Sequence, residues 1–287
     1  MAKVGIIGGS GVYQMEGIEG LRETALKTPF GEPSDVFRTG TLDGVEVVFL
    51  PRHGAGHRLN PSEINYRANI FGMKMLGVEN LISISACGSL KKEMKPLDFV
   101  LADQFVDRTN SGRIMTFYRG GIVVHVSLAD PVCSRLADIL FEAGKGLGLC
   151  MHRRGTYLNM EGPAFSTRAE SNLYRSWGMD IIGMTNMAES RLAREAEMCY
   201  VTVAAVTDYD CWYGPEEAVT VEMIIANLTK NAGNAKQLLK AAVRRAAEAT
   251  SCPCREALKH AIITQKDAVP QKLKKDLAPL IGKYIGT

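Results

Sequence analysis

The 287-residue sequence predicts an α/β protein built on a mixed, mostly parallel sheet flanked by helices. Three observations carry this. Short apolar, β-branched runs alternate with longer stretches of helical periodicity, the pattern of strands joined by crossovers. Several of these runs, Val201–Val206 above all, are apolar without alternation, as strands covered on both faces require. Many end in glycine, small residues or charged groups, and open parallel sheets bind ligands at such strand ends. The 46% hydrophobic and 23% charged content is that of an ordinary globular protein. A formal net charge of +3, without a basic stripe in the first two-thirds, points away from nucleic acid. No apolar run reaches the length of a membrane span and the N-terminus enters a strand directly, so the expected location is the cytoplasm, with no membrane partner.

Lys3-Val4-Gly5-Ile6-Ile7 is the first predicted strand, and it runs into Gly8-Gly9-Ser10-Gly11. Such a turn can hold an anion through backbone amides and the Ser10 hydroxyl. It lacks the last glycine of G-x-G-x-x-G, Gln14 standing there, and no Walker lysine follows, which argues against a dinucleotide. Pro29 to Gly44 reads as turn-rich. Val45–Leu50 is a strand ending in Pro51-Arg52-His53-Gly54, where adjacent Arg and His suit a doubly charged oxyanion. Asn60–Asn65 opens a predicted helix to about Leu76, with Gly77 as its C-cap. Asn80–Ser85 is a buried strand ending in Ala86-Cys87-Gly88-Ser89-Leu90, small enough for backbone amides to approach a ligand.

Asp98 to Phe105 and Val123–Ser127 are further predicted strands, the second carrying His125, and a helix follows to about Leu147. Gly155–Met160 is a strand leading to Glu161-Gly162-Pro163-Ala164-Phe165-Ser166. Thr167 and Glu170 have capping-box spacing and start a helix. Asp180–Met184 is a strand ending in Thr185-Asn186, and Ala188–Glu197 is helical. The strand Val201–Val206 closes in Thr207-Asp208-Tyr209-Asp210. On an extended backbone the i, i+2 spacing puts both carboxylates on one side with Tyr209 turned away. Two such acids could hold a metal, move a proton, or accept hydrogen bonds from a neutral, nitrogen-rich ligand. A long amphipathic helix runs from about Val219 to Ala247.

From about Ser251 the composition turns basic. The expected organisation is one domain over 1–250 and a helical extension over 251–287 packed on it, with Pro270 at a helix start and Leu273 and Leu277 one turn apart. Of seven cysteines, Cys87, Cys133, Cys150, Cys199 and Cys211 stand singly in apolar surroundings and read as core residues. Cys252-Pro253-Cys254 is clustered, but zinc would need a second ligand pair, and His260 is the sole sequence neighbour that could serve. No metal is expected.

Sorted by chemistry, the strand ends form an anion-binding group (Ser10, Arg52, His53, Ser85, Ala86, Thr185) and an aromatic-plus-acceptor group (Phe165, Asp208, Asp210). A ligand with phosphate at one end and a flat nitrogenous ring at the other is implied. Gly8–Gly11, Pro51–Gly54, Ala86–Leu90, Met160–Ser166, Met184-Thr185 and Thr207–Trp212 occur in an order that resembles the methylthioadenosine phosphorylase branch of the purine nucleoside phosphorylases. The resemblance covers about residues 1–245.

It implies a sheet with a distorted barrel core, a homotrimer, no metal or organic cofactor, and inorganic phosphate as co-substrate. It would place phosphate against Ser10, Arg52, His53, Ser85, Ala86 and Thr185. Met184 would lie under the ribose with Glu161 near its hydroxyls, while Phe165 and Ser166 line the base site, Phe165 facing the purine. Asp208 and Asp210 would meet its N7 and N6 edge, and His125 of a neighbouring subunit, with Val221 and Ile225, the 5′-methylthio group. Asp208 and His53 are the implied catalytic residues, Asp208 as general acid to N7. The implied reaction is phosphorolysis of 5′-methylthioadenosine. The alternatives are a 6-oxopurine nucleoside phosphorylase of the same fold, or a nucleotide-binding domain without turnover. Ser10 stands where many relatives have Thr, and Ala188-Glu189 where Pro-Glu is expected. The tail from Ser251 has no counterpart.

Overall fold

The computed structural model describes residues 1–9, 17–213 and 221–286. The chain begins with strand β1 (Lys3–Gly8), then β2 (Ile18–Thr24), β3 (Phe37–Leu42) and β4 (Val45–Pro51). Helix α1 (Tyr66–Met75) leads to the long strand β5 (Val78–Ser89), followed by β6 (Phe99–Ala102) and β7 (Gln104–Arg108). Next come α2 (Ser134–Gly146), β8 (Met151–His152), β9 (Thr156–Met160), α3 (Arg168–Ser176), β10 (Ile181–Gly183), α4 (Asn186–Glu195) and β11 (Cys199–Asp208). Helices α5 (Val221–Glu248), α6 (Gln271–Asp276) and α7 (Ala278–Ile285) complete the chain.

The strands form one mixed sheet that branches at β5. β5 runs parallel to β1 on one side and to β11 on the other, and its last residues pair antiparallel with β10. Pairings are parallel for β1–β4, β9–β10, β7–β9 and β6–β8, and antiparallel for β2–β3, β3–β4 and β6–β11. The mostly parallel sheet flanked by helices is the fold the sequence predicts.

Strand alternation sorts the interior into two layers. Val4 and Ile6 of β1, Ile82 and Ile84 of β5, and Val201, Val203 and Ala205 of β11 pack with α2 and α5. Ile7, Leu81 and Tyr200 point to the other face, against α1, α4 and the C-terminal helices. β11 is buried on both faces up to Thr207. The capping box of α3 is formed: Thr167 Oγ1 accepts from the Glu170 amide and Glu170 accepts from the Thr167 amide.

Local readings differ in five places. The helix expected from Asn60 starts at Tyr66, because Asn60 Oδ1 takes the amides of Ser62 and Glu63 into a turn and Asn65 supplies the cap. The stretch Asp98 to Phe105 is two strands, β6 and β7, parted at Asp103. Val123–Ser127 makes a single bridge, Val124 with Ile262, instead of a strand. β2 and β3 are real although the first is polar and mostly exposed and the second lies in the turn-rich stretch. Cys150 is exposed, not a core residue. Beyond Ser251 the chain packs on the body, with Leu258, Leu277, Leu280 and Ile281 buried. Glu197 accepts hydrogen bonds there from the Leu258 amide and the Tyr284 hydroxyl, at 2.9 and 2.5 Å, and pairs with Lys283. Among the described residues no helix is long and apolar enough to cross a membrane.

Candidate active site

The ends of β1, β4, β5, β9, β10 and β11 surround a cavity of about 330 Å³, within the range of small-molecule sites. Arg52, His53, Ser85, Ala86, Met184, Thr185, Phe165, Asp208 and Asp210 all line it. Ser10 and the side chain of Val221 lie outside the described residues.

Arg52 follows β4 and is 1% exposed. Its Nε donates to Glu189 Oε1 at 2.5 Å, Nη1 to the Ile84 carbonyl at 3.0 Å, and Nη2 to Ser83 Oγ at 2.6 Å. Burial alone would disfavour its charge; the Glu189 carboxylate overrides this and raises its pKa. Glu189 in turn accepts from Ser83 Oγ at 2.6 Å and the Tyr200 hydroxyl at 3.0 Å. Asn186 Nδ2 closes the network on Ser83, Tyr200 and Thr202. Ser85 lies two residues beyond Ser83 on the same face of β5 and reaches the cavity. Thr185 is the N-cap of α4 and its hydroxyl does not cap the helix. The positive end of the α4 dipole therefore meets the cavity at the same place as Arg52 and Ser85.

His53 is held by its Nδ1, 2.8 Å from the Leu59 carbonyl. A carbonyl only accepts, so Nδ1 carries the proton and Nε2 is left as an acceptor. The ring stacks on His57, with centroids 4.2 Å apart. Burial first, and the Arg52 charge second, push its pKa down to about 4. His53 is thus neutral near pH 7 and adds no second positive charge beside Arg52.

At the far end β11 stops at Asp208. Tyr209 turns out of the strand and Asp210 takes φ +51°, so a turn and not an extended backbone brings both acids to the cavity. Thr207 Oγ1 donates to Asp208 Oδ2 at 2.7 Å and the Asp210 amide to Oδ1 at 2.8 Å. Burial raises the pKa of both acids, more than these donors lower that of Asp208. Asp210 Oδ2 is buried without a hydrogen-bond partner among the described residues, and the nearby Ser171 hydroxyl opposes the rise that burial causes in its pKa. The turn is braced from outside by Trp212 Nε1 on the Ser89 carbonyl, at 2.7 Å, and by Asn227 of α5 on the Thr207 carbonyl, at 2.8 Å. Phe165, 70% exposed, stands at the mouth, an apolar face left to a ligand.

Four expected residues are placed differently. Glu161 is outside the cavity lining, and its carboxylate is occupied by the amides of Asn110 and Ser111, the hydroxyls of Ser62 and Ser111, and Arg113. Burial opposes its charge, but the Ser111 and Ser62 hydroxyls and the two amides hold its pKa down, to about 2. Ser166 is buried beside Met160. Ile225 is exposed, whereas Leu228, one turn on, lines the cavity. His125 lies on a separate surface depression with Met115, Arg191 and Glu195. Sequence reasoning noted Glu189 only as part of the Pro-Glu position of the family pattern and gave it no role at the site. It missed Leu228, which follows Ile225 at helical spacing.

Residues 3–244 match the sequence profile described as the phosphorylase superfamily. The S-methyl-5′-thioadenosine phosphorylase of Geobacter sulfurreducens is 55% identical over 282 residues, 98% of this chain and 99% of that one. The chain belongs to the S-methyl-5′-thioadenosine phosphorylase family of the phosphorylase superfamily. The family member of the same name from Koribacter versatilis is 56% identical, across 99% of this chain and 97% of its own. Among solved structures, a methylthioadenosine phosphorylase from an antarctic soil metagenomic library superposes with a TM-score of 0.92 at 49% identity, covering 97% of this chain and 98% of that one. One from Schistosoma mansoni, in complex with adenine, gives 0.85 at 38% identity, over 90% of this chain and 96% of its own.

Two outcomes follow for the phosphorylase cavity. Removing either partner of the Arg52–Glu189 pair strands a buried charge, so Arg52→Ala and Glu189→Ala should each lose about 3–5 kcal/mol of stability, measured by denaturant unfolding. A surface-sized loss below about 1 kcal/mol in either would show that the pair is not structural. His53 should remain neutral down to about pH 4 in the ligand-free protein. Its folded pKa lies below the ordinary value near 6.5, so the stability it contributes is present above that value and is lost as pH falls toward 4. Imidazole NMR shifts that titrate near pH 6.5 without phosphate would contradict this.

Proposed function

We propose that this protein cleaves the N-glycosidic bond of 5′-methylthioadenosine with inorganic phosphate, releasing adenine and 5-methylthioribose 1-phosphate. The observation that carries this is the two-ended cavity. One end gathers Arg52, Ser85, Thr185 and the α4 N-terminus; the other gathers two buried carboxyls, one with an unpaired oxygen. Phosphate is held at the first end, with Ser10 and the Ala86 amide completing its shell and His53 Nε2 accepting from a protonated phosphate oxygen. The purine lies at the second, against Phe165, with the ribose over Met184.

As the bond to the base lengthens, the sugar becomes cationic and the adjacent phosphate both stabilises and attacks it. Negative charge collects on the purine. Asp208, whose pKa is raised by burial, protonates N7, a contribution on the order of 10²–10⁴-fold. Asp210 accepts from the 6-amino group. The 5′-methylthio group packs on Leu228 of α5. His125 of a neighbouring subunit completes that end in a homotrimer, which accounts for its place on the surface away from this chain's own cavity. No metal or organic cofactor takes part in the reaction.

An ionised carboxylate can only accept, matching the amino group of adenine and opposing a 6-oxo group. An unmatched buried group costs roughly 1–3 kcal/mol, so base release from methylthioadenosine should exceed that from methylthioinosine about tenfold or more. Asp210→Asn should narrow or invert the ratio, and omitting phosphate should abolish release. Equal rates on both nucleosides in the unaltered protein, followed by ultraviolet absorbance, would sink this assignment of Asp210. Sedimentation with parallel assay checks the shared site: a fully active monomer is incompatible with it.

A further inference from the structure

We propose that Cys133, Cys199, Cys252 and Cys254 form a closed tetrathiolate site for one zinc ion. Their four Sγ atoms all lie within 4.8 Å of one another. Cys133 and Cys252 Sγ are 3.6 Å apart. A tetrahedral zinc with Zn–S bonds of about 2.3 Å sets its sulfurs about 3.8 Å apart, so little movement is needed. The expectation that the Cys252–Cys254 pair has no second ligand pair is therefore overturned. The second pair comes from elements remote in sequence.

The four thiols sit on three elements. Cys133 is the N-cap of α2, Cys199 is the first residue of β11, and Cys252 and Cys254 flank Pro253 in a single 3-10 turn. Cys133, Cys199 and Cys254 are buried and Cys252 is half-buried, and all are free thiols. The surroundings are prepared for negative charge. Arg135 Nη2 lies 3.6 Å from Cys199 Sγ, and its two Nη atoms donate to the carbonyls of Ser251 and Ala249, at 2.6 and 2.9 Å. This places a fixed cation against a cluster whose metal-bound form carries two negative charges, as outer-shell partners of metal thiolates do.

Four protein ligands leave no position for water, which makes the site structural and not catalytic. Its distance from the chemistry agrees. Cys199 and Asp208 are the two ends of a ten-residue strand, about 30 Å apart at ~3.3 Å per residue. Such an ion would fasten the start of the C-terminal segment to α2 and β11. From that anchor the segment runs on to the Val124–Ile262 bridge and the buried Leu277, Leu280 and Ile281.

The inference does not rest on the proposed activity, and metal content tests it directly. Full-length protein purified without chelator should hold about one zinc per chain by mass-spectrometric elemental analysis. Cobalt exchanged into it should show thiolate-to-metal charge-transfer and tetrahedral d–d bands. A mercurial thiol reagent titrated into the unaltered protein should release the zinc stoichiometrically, which keeps the test independent of variants that fail to fold. Cys133→Ser and Cys254→Ser should lose the metal and melt several degrees lower, with kcat/KM at moderate temperature close to that of the unaltered protein. Two outcomes overturn the proposal. One is a non-reduced intact mass lower by the four hydrogens of two disulfides, with no metal. The other is four alkylatable thiols that stay metal-free after equilibration with excess zinc.

Discussion

The buried pairing of Arg52 with Glu189 is the constraint on which the cavity depends. Two charges have been taken out of water, which is tolerable only when each is paired and its remaining hydrogen-bonding capacity is used. The chain meets this with four groups from three elements: Ser83 and the Ile84 carbonyl of β5, Tyr200 of β11, and Asn186 at the start of α4. The network therefore ties the end of β4 to β5, α4 and β11 at one point. It also changes how the anion end works. With Glu189 against it, Arg52 does not present a bare positive charge. On the phosphate assignment proposed above, attraction is shared among what remains of the guanidinium's donors, the α4 dipole and neighbouring amides, with His53 a neutral acceptor for a phosphate oxygen that carries a proton.

The opposite end is built on the contrary principle. Nothing cationic among the described residues pairs with Asp208 or Asp210, and burial lifts both above the ordinary carboxyl range. A carboxyl whose pKa is raised stays protonated to higher pH and so has a proton to give to a leaving base, and the Thr207 and Asp210 contacts fix its direction. Braces from α5, Asn227 and Asn231 on the carbonyls of Thr207 and Val206, hold the strand end from behind. One end of the cavity is electrostatically compensated and the other left uncompensated, and that asymmetry gives the ligand its polarity.

Much of this was legible because it is written locally. β11 is a nearly continuous apolar run, the Thr167–Glu170 box is a four-residue pattern, and most of the site residues sit at or just beyond strand ends, where a parallel sheet gathers them. What escaped was non-local or disguised. Glu189 is a carboxylate in a helix, and nothing in its local sequence shows that it is buried against Arg52. β2 hides because its exposed face carries polar residues, so no apolar alternation marks it. Val123–Ser127 is β-rich in composition, yet it meets a partner strand only through Ile262. Propensity cannot supply a neighbour. The four cysteines were invisible as a group for the same reason, Cys133 and Cys252 being 119 residues apart.

The spacing between the two ends of the cavity is set by one pairing. β11 lies parallel to β5 in the register Thr202–Ser83, Ala204–Ser85 and Val206–Cys87, and then slips so that Asp208 faces Gly88. Ser83 and Thr202 belong to the Arg52 network; Gly88 and Asp208 belong to the base end. The register shift re-aims the carboxylate, as bulges next to active sites do, and Gly88 makes room for it. A Cβ there would lie 3.1 Å from Asp208 Oδ1 and 3.4 Å from the Asp210 Cβ, closer than the carboxylate could accept without moving. Phosphorolysis needs its nucleophile and its acid on opposite sides of one bond, at a separation fixed by the nucleoside. On the assignment proposed above, the phosphate-binding groups and the acid are held by the same two hydrogen-bonded strands, so that separation is a property of the sheet itself and not of a mobile loop.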